Sequence, residues 1–253
     1  MRFVLAQRRY EQILQRLRSD GPAGVRALAD ELRVSEATVR RDLARLERDG
    51  LLQRVRGGAT VGSLAEPPFE EVAGHDSDDK AAVAARAAGV VEDGDVVLLD
   101  VGTTVHCLAR LLRGRPVTVI TSNLAVYEEL VDDEAVEIVL LGGVVRRNYR
   151  SLVGFLTEQA LGQVHARHLF LGTSGIRRDG TVLDTTVVEV PVKQAMIRAA
   201  DHVVLLADPA KFPGSGLARV CGLEDVDMLV TRPDADPATL SCFREAGTEV
   251  VLT

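Results

Sequence analysis

The chain has 253 residues, room for one small and one medium domain, and a formal net charge of −7. Its three cysteines, Cys107, Cys221 and Cys242, stand apart with no CxxC pair, which points away from a zinc site and towards a reducing compartment. With no signal peptide, no internal repeat and no apolar run of membrane-spanning length, the expectation is a cytoplasmic protein with no membrane partner, no metal and no cofactor. The charge is uneven. Residues 1–58 hold 13 arginines and no lysine against eight acidic residues, and the remainder holds 17 basic against 29 acidic residues. A basic module on an acidic body confines polyanion binding to the first part of the chain.

Taken in order, Ile13, Leu14 and Leu17 form one apolar stripe at helical spacing, and Val25, Leu28, Ala29 and Leu32 form a second. Arg33-Val34 makes a tight turn into Ser35, a good N-cap residue, and Glu36 places an anion in the first turn, where the helix dipole favours it. Val39, Leu43 and Leu46 then recur at four- and three-residue steps, while Thr38, Arg40, Arg41, Arg45 and Arg48 occupy the other face. Gly50 supplies the stop. Leu51 to Arg56 alternates in strand fashion, and Gly57-Gly58 allows a tight turn. Taken alone, this helix could be an amphipathic surface helix with solvated arginines. Two upstream helices and a basic hairpin instead make a complete winged helix-turn-helix within residues 1–58. The N-terminus of the helix that follows Ser35 would enter the major groove, and the wing would lie on phosphates.

The segment resembles the N-terminal domain of the DeoR family of bacterial transcriptional regulators. The resemblance is carried by Arg9, Ile13, Leu28-Ala29, Leu32, Val34-Ser35, the run Thr38 to Leu43, Leu46-Glu47, Gly50 and the run Arg54 to Ala59. Arg56 stands where many relatives carry His and keeps a donor for phosphate. The expected DNA contacts are Ser35, Glu36, Thr38, Arg40, Arg41, Arg45, Arg54, Arg56, Gly57 and Gly58.

Residues 59–79 read as a linker, because Gly62, Ser63, Pro67, Pro68, Gly74, His75 and the run Asp76-Ser77-Asp78-Asp79 cannot bury an apolar face. Phe69 after two prolines is a candidate to dock on a neighbouring domain. From Lys80 onward, helices alternate with strands. Strands are expected at 95–100, 117–121, 136–141, 168–172, 203–207, 228–231 and 249–252. Helices are expected over 81–91, from Gly102 to Leu112, from Asn123 to Val131, over 189–200 and near 237–246. Continuous Val/Leu strands between helices mean a mostly parallel α/β domain, residues 80–253, with both sheet faces covered.

Ligands in such sheets bind beyond the carboxyl ends of the strands. The exits here are small and polar: Asp100 with Gly102, Thr103 and Thr104; Thr121, Ser122 and Asn123; Gly142 and Gly143; Gly172, Thr173, Ser174 and Gly175; and Asp208 to Lys211. Such loops are Gly/Ser/Thr-rich for turn and capping reasons alone. Several in one domain favour an anion site. No Walker motif or GxGxxG is present, which weighs against a nucleoside triphosphate or NAD. Glu189 and Lys193, four apart, read equally as a helical ion pair or as ligand-binding residues. Arg146, Arg147 and Arg150 read as a phosphate site or a solvated run, and Lys211 as a phosphate partner.

This half also resembles the DeoR family, through Asp93-Gly94-Asp95, Asp100 with Gly102-Thr103-Thr104, Thr121-Ser122-Asn123, Gly142-Gly143 with Arg146, Ser151 and Gly154, Gly172 with Gly175-Ile176, Glu189 with Lys193, and Asp208 with Lys211-Phe212. The resemblance implies a sensor domain similar in fold to ribose-5-phosphate isomerase, binding a phosphorylated sugar-like effector without turning it over. The expected effector residues are Asp100, Gly102, Thr103, Thr104, Thr121, Ser122, Asn123, Gly142, Gly143, Arg146, Gly172, Thr173, Ser174, Gly175, Glu189, Lys193 and Lys211. The expected protein is a regulator, a repressor of sugar or carbohydrate metabolism genes, whose second domain senses a metabolite and forms a dimer or tetramer on its DNA operator. The competing classes are a sugar-phosphate isomerase fused to a DNA-binding domain, with Glu189 or Asp100 as base, and a constitutive DNA-binding structural protein.

Overall fold

The computed structural model describes residues 9–10, 12–13, 16–17, 23–48, 52–55, 57–60 and 68–253, with the backbone alone at 48, 53–55 and 60. Leu14, Gly50, Leu51, Arg56 and residues 61–67 of the expected linker lie outside the described residues. The chain divides into two compact units, residues 1–66 and 67–253.

In the first unit, helices α1 (Val25–Leu32) and α2 (Glu36–Arg48) follow a two-residue strand β1 (Ala23–Gly24), and strands β2 (Gln53–Val55) and β3 (Gly58–Thr60) follow the helices. The apolar stripes meet: Ile13, Leu17, Leu28, Val39, Leu43 and Leu46 are buried in one cluster. Arg33 takes a left-handed conformation (φ 52°) that ends α1. Ser35 then caps α2, its Oγ accepting from the Thr38 amide at 3.2 Å. On the same helix Asp42 is buried, and Arg9 holds its carboxylate through both oxygens at 2.5 and 3.1 Å. Strands β2 and β3 form the expected antiparallel hairpin. The sequence gives no sign of β1, which pairs with β3 on its other side. Gly58 makes that pairing possible, since a Cβ there would lie 2.2 Å from the Ala23 carbonyl oxygen.

The second unit is built on a seven-stranded sheet, parallel at every junction. In chain order its strands are β4 (Val96–Leu99), β5 (Thr118–Thr121), β6 (Glu137–Leu140), β9 (Ala166–Gly172), β12 (Ala200–Leu206), β14 (Met228–Thr231) and β15 (Glu249–Leu252). Two small antiparallel sheets sit beside it. One pairs β7 (Val144–Arg146) with β8 (Ser151–Val153), and the other joins β10 (Gly175–Ile176), β11 (Val182–Asp184) and β13 (Ala218–Cys221). Neither was expected from the sequence. Alternation along the strands supplies both faces. Val97 and Leu99 pack with helices α4 (Ser77–Ala88), α5 (Thr103–Leu111) and α6 (Leu124–Leu130). Leu98 joins the opposite core with α7 (Phe155–Leu161), α8 (Val190–Arg198) and α9 (Pro237–Glu245).

The stretch expected as a linker is partly ordered into this unit. Phe69–Gly74 forms a short helix, α3, and α4 begins at Ser77 rather than near residue 81. Two physical reasons account for the difference. Phe69 is buried edge-on to His106 and Tyr149, at ring-centroid distances of 5.7 and 5.9 Å. The acidic run also has a helical use, because Asp78 and Asp79 lie in the first turn of α4, where the dipole favours anions.

Two units predict two unfolding events. Leu43→Ala, in the core of the first unit, should cost that unit about 2–5 kcal/mol and leave the second unit's transition in place. Urea denaturation, followed by probes in each unit, checks this; one shared transition that moves as a whole would contradict it.

Candidate functional site

The sheet runs in the order β15-β14-β12-β9-β4-β5-β6. From β4 the chain first builds outward through β5 and β6, then crosses back to place β9 on the other side of β4. The winding therefore reverses between β4 and β9, and a crevice opens there beyond the carboxyl ends. Asp100 leaves β4 at this point and Gly172 ends β9. The exits of β5 and β12 flank them, so the four central strands bring Asp100, Ser122, Gly172 and Asp208 to one end of the sheet.

A buried ion pair occupies the crevice. Lys193, on α8, donates its Nζ to Asp100 Oδ2 and, at 3.1 Å, to the Gly172 carbonyl. The Gly172 amide donates to the same Asp100 oxygen at 2.9 Å. Asp184, at the end of β11, lies 3.6 Å from the ammonium. Burial works against the Lys193 charge, but Asp100 and Asp184 outweigh it and hold the ammonium above its ordinary range. Glu189, one turn earlier, faces the other way: Arg146 and Ser151 both donate to its Oε1, the serine at 2.6 Å. Glu189 and Lys193 thus do not form the helical ion pair that their spacing allows.

Four polar atoms are buried without a hydrogen-bond partner: Asp100 Oδ1 and Glu189 Oε2 beside the ion pair, Ser122 Oγ after β5 and Asp208 Oδ2 after β12. Three are carboxylate oxygens, which only accept. A molecule presenting several O–H or N–H groups would satisfy them. Lys211 lies half-buried in a short 3-10 helix after β12, and Thr103 and Thr104 are buried at the N-terminus of α5.

Other expected site residues are used by the fold itself. Thr121 Oγ1 donates to the Leu99 carbonyl at 2.7 Å and accepts from the Asn123 amide at 3.0 Å. Asn123 caps α6, accepting from the amides of Ala125 and Val126. Thr173 Oγ1 is within 3.0 Å of the Gly175 and Leu183 carbonyls. A Cβ at Gly175 would lie 2.6 Å from the Ser215 amide nitrogen. Ser174 is partly exposed beside Thr185, at 3.3 Å. Gly142 and Gly143 follow the edge strand β6, away from the crevice, and Thr157 donates to the Gly142 carbonyl at 2.7 Å where a Gly143 Cβ would stand. Gly102, with φ 119°, sets the start of α5. Arg150 is taken by Glu128 and lies 3.7 Å from Glu70, so it is not poised for a phosphate. Asp184 and Asp208 were not among the expected effector residues. Their signal is the one that marked Asp100, an acidic residue closing a short apolar run.

In the first unit, Ser35, Glu36, Arg40, Arg41 and Arg45 are exposed along α2, opposite the buried Val39, Leu43 and Leu46, and Thr38 is half-buried. Arg40 is held against Glu36 at 2.9 Å, and Arg45 lies over the Tyr10 ring at 6.0 Å. The side chain of Arg54 lies outside the described residues. Gly57 forms the hairpin turn with φ 87°.

The family model for the DeoR-like helix-turn-helix domain matches residues 9–63, and that for the DeoR C terminal sensor domain matches residues 75–232. The chain belongs to the DeoR family. The transcriptional repressor AccR of Agrobacterium fabrum is 35% identical to this DeoR-family chain, over 91% of each protein. The lactose phosphotransferase system repressor of Staphylococcus epidermidis is 29% identical, over 88% of this chain and 90% of that one. Among solved structures, the ribose 5-phosphate isomerase A of Methanocaldococcus jannaschii aligns with 54% of each chain at 18% identity and a TM-score of 0.41. As a DeoR-family regulator, the protein binds DNA through its first unit and carries the sensor fold in its second. Among the described residues, no group of three or more His, Cys, Asp or Glu is placed to hold a metal, and no helix is long and apolar enough to cross a membrane.

The site has a pH signature. Burial pushes the Glu189 carboxyl above its ordinary 4.5, and Ser151, Lys193 and Arg146 draw it part of the way back. A carboxyl raised in the fold binds its proton more tightly there than in the unfolded chain. Its contribution to stability therefore falls as pH rises from the ordinary value through the folded one. In Glu189→Gln that loss is absent. The unfolding free energy of the variant minus that of the wild type should grow over this window and then level off. Urea unfolding from the acid range to neutrality measures it, and a flat difference would contradict the assignment.

Proposed function

We propose that this DeoR-family regulator is a cytoplasmic repressor of carbohydrate genes, and that a phosphorylated sugar bound at the β4–β9 crevice modulates its hold on the operator. The carrying observation is the set of buried, unpartnered acceptors, Asp100 Oδ1, Glu189 Oε2 and Asp208 Oδ2, with Ser122 Oγ beside them. Hydroxyls of a sugar supply donors at such atoms. A phosphate cannot sit against them, because like charges repel. It belongs instead at the side of the crevice lined by Lys211 and the first amides of α5. The relative named for a lactose phosphotransferase system supports a sugar that arrives phosphorylated. That relatives are named as repressors supports binding without turnover.

On the DNA side, the N-terminal half of α2 reads bases and the wing rests on phosphates. One winged helix covers few base pairs, so the working form is a dimer or tetramer on repeated half-sites. The effector acts by binding the DNA-competent and DNA-incompetent arrangements unequally.

Two outcomes test the proposal. Loss of whichever of Arg40 and Arg41 meets a guanine edge should cost about 1–3 kcal/mol of operator affinity and relax specificity; unaltered binding by the double alanine variant would remove α2 as the reading helix. Lys211→Ala should bind operator normally and lose its response to phosphorylated pentoses and hexoses, a response on the order of 5- to 150-fold in wild type. Operator titrations with and without these sugars decide it. A variant that responds like wild type places the phosphate elsewhere, and conversion of a sugar phosphate by the wild type would make the second unit an enzyme.

A further inference from the structure

The four-residue turn Arg147 to Arg150 joins β7 to β8, and its two ends meet at one atom. Arg146, the last residue of β7, and Ser151, the first of β8, are register partners. Both donate to Glu189 Oε1. The base of this hairpin is thus fastened to a carboxylate whose other oxygen is buried without a partner. The backbone adds to the fastening. The Leu124 amide donates to the Arg150 carbonyl and the Leu152 amide to the Ser122 carbonyl, both at 2.8 Å, beside a bridge between Asn123 and Ser151.

The tip of the same turn holds α3. The Phe69 amide donates to the Asn148 carbonyl at 3.0 Å. Tyr149 packs edge-on against the Phe69 ring, and the Arg150 guanidinium lies over that ring at 5.7 Å. Arg150 also bridges Glu128 of α6 and Glu70 of α3. It does so from a left-handed backbone conformation, φ 54°, that an arginine keeps only where its surroundings fix it. From the far end of α3, Lys80 donates its Nζ to the carbonyls of Val72 and His75. The chain runs from α3 through residues 61–67 into the DNA-binding unit.

We propose that the β7–β8 turn is a clasp that transmits the state of Glu189 to α3, with Arg150 as its positioning residue. The clasp rests on the reading of Glu189 as part of the effector site. A ligand that draws on Glu189 Oε2 reorients the carboxylate, and Oε1 moves with it. Arg146 and Ser151 follow, because a buried charge left unpaired is costly. The tip that grips Phe69 lies within the four residues that join Arg146 to Ser151, so the displacement has no slack to absorb it. The element at the other end is the helix that begins the second unit.

The test needs no effector and uses the full chain. Amide hydrogen exchange at Phe69 reports the grip directly, since its N–H is bonded to the Asn148 carbonyl. Glu189→Gln should speed exchange at Phe69 by about fivefold or more, the lower end of couplings between sites. Arg150→Ala should do the same, and the double variant should add nothing to the larger single effect, because both act through one path. Arg219→Ala, which breaks an exposed ion pair with Glu224 outside the hairpin, should leave Phe69 unchanged. Should Glu189→Gln fail to fold, Arg146→Gln makes the same cut from the hairpin side. Unchanged exchange at Phe69 in a folded Glu189→Gln or Arg146→Gln protein overturns the clasp, as do additive effects in the double variant. The sugar-phosphate reading would survive that result. Conversely, failure of every sugar phosphate to bind would leave the clasp standing and remove its proposed trigger.

Discussion

The ammonium of Lys193 is the constraint on which the sensor unit depends. It is almost fully buried, and it ties together the exits of β4 and β9, the end of β11 and helix α8. A charge in that position is costly to take out of water, and it persists because Asp100 and Asp184 face it and the Gly172 carbonyl accepts from it. Removing either partner of such a pair leaves the other stranded, so the crevice keeps its charges or the unit loses stability. Once the pair is in place, the polarity of the crevice follows. Asp100 has spent one oxygen and has one left, and Glu189 is fixed one turn away with the same division of labour. The crevice therefore holds unpartnered acceptors beside the ion pair, with Lys211 and the start of α5 at other strand exits. That asymmetry is what the proposed sugar phosphate would read.

Much of this was legible in the sequence. The continuous Val/Leu runs declare parallel strands, although the edge strands β6 and β15 leave Val139, Leu140 and Leu252 exposed. The acidic or glycine residues that end them mark the exits. In the first unit, the stripe Val39, Leu43, Leu46 and the capping Ser35 locate α2 without ambiguity. What escaped has physical causes. Strands β7, β8, β10 and β11 have two or three residues each, too short to display a period. The acidic run 76–79 was read as linker because high polarity usually signals one, although its later members serve as first-turn anions of α4. The four-residue spacing of Glu189 and Lys193 suggested a local pair, yet partners at β7 and β8 take the first side chain and partners at β4, β9 and β11 take the second. Thr121, Asn123 and Thr173 looked like ligand donors, but turn and cap geometry consumes their hydrogen bonds. Asp184 carries the opposite lesson, since only the assembled fold shows that the end of β11 meets Lys193.

The two units divide the chemistry by charge. The arginine-rich first unit suits a polyanion, and the acidic second unit does not, so DNA and the proposed metabolite would not compete for one surface. Communication must then pass through structure. The hairpin between Glu189 and Phe69 offers the proposed route, made of named hydrogen bonds, and it begins at the group whose second oxygen is buried without a partner.

The central claim is that Asp100 and Glu189 bind a phosphorylated sugar without reacting with it. Carbon-13 NMR of the labelled carboxyl groups, recorded while the full chain is titrated with phosphorylated pentoses and hexoses, tests this most directly. The account predicts that the signals of Asp100 and Glu189 move together and saturate with a sugar that binds, while the sugar's own resonances show no conversion. Saturable binding with both carboxyl signals unmoved, or conversion of the sugar in the tube, would contradict it.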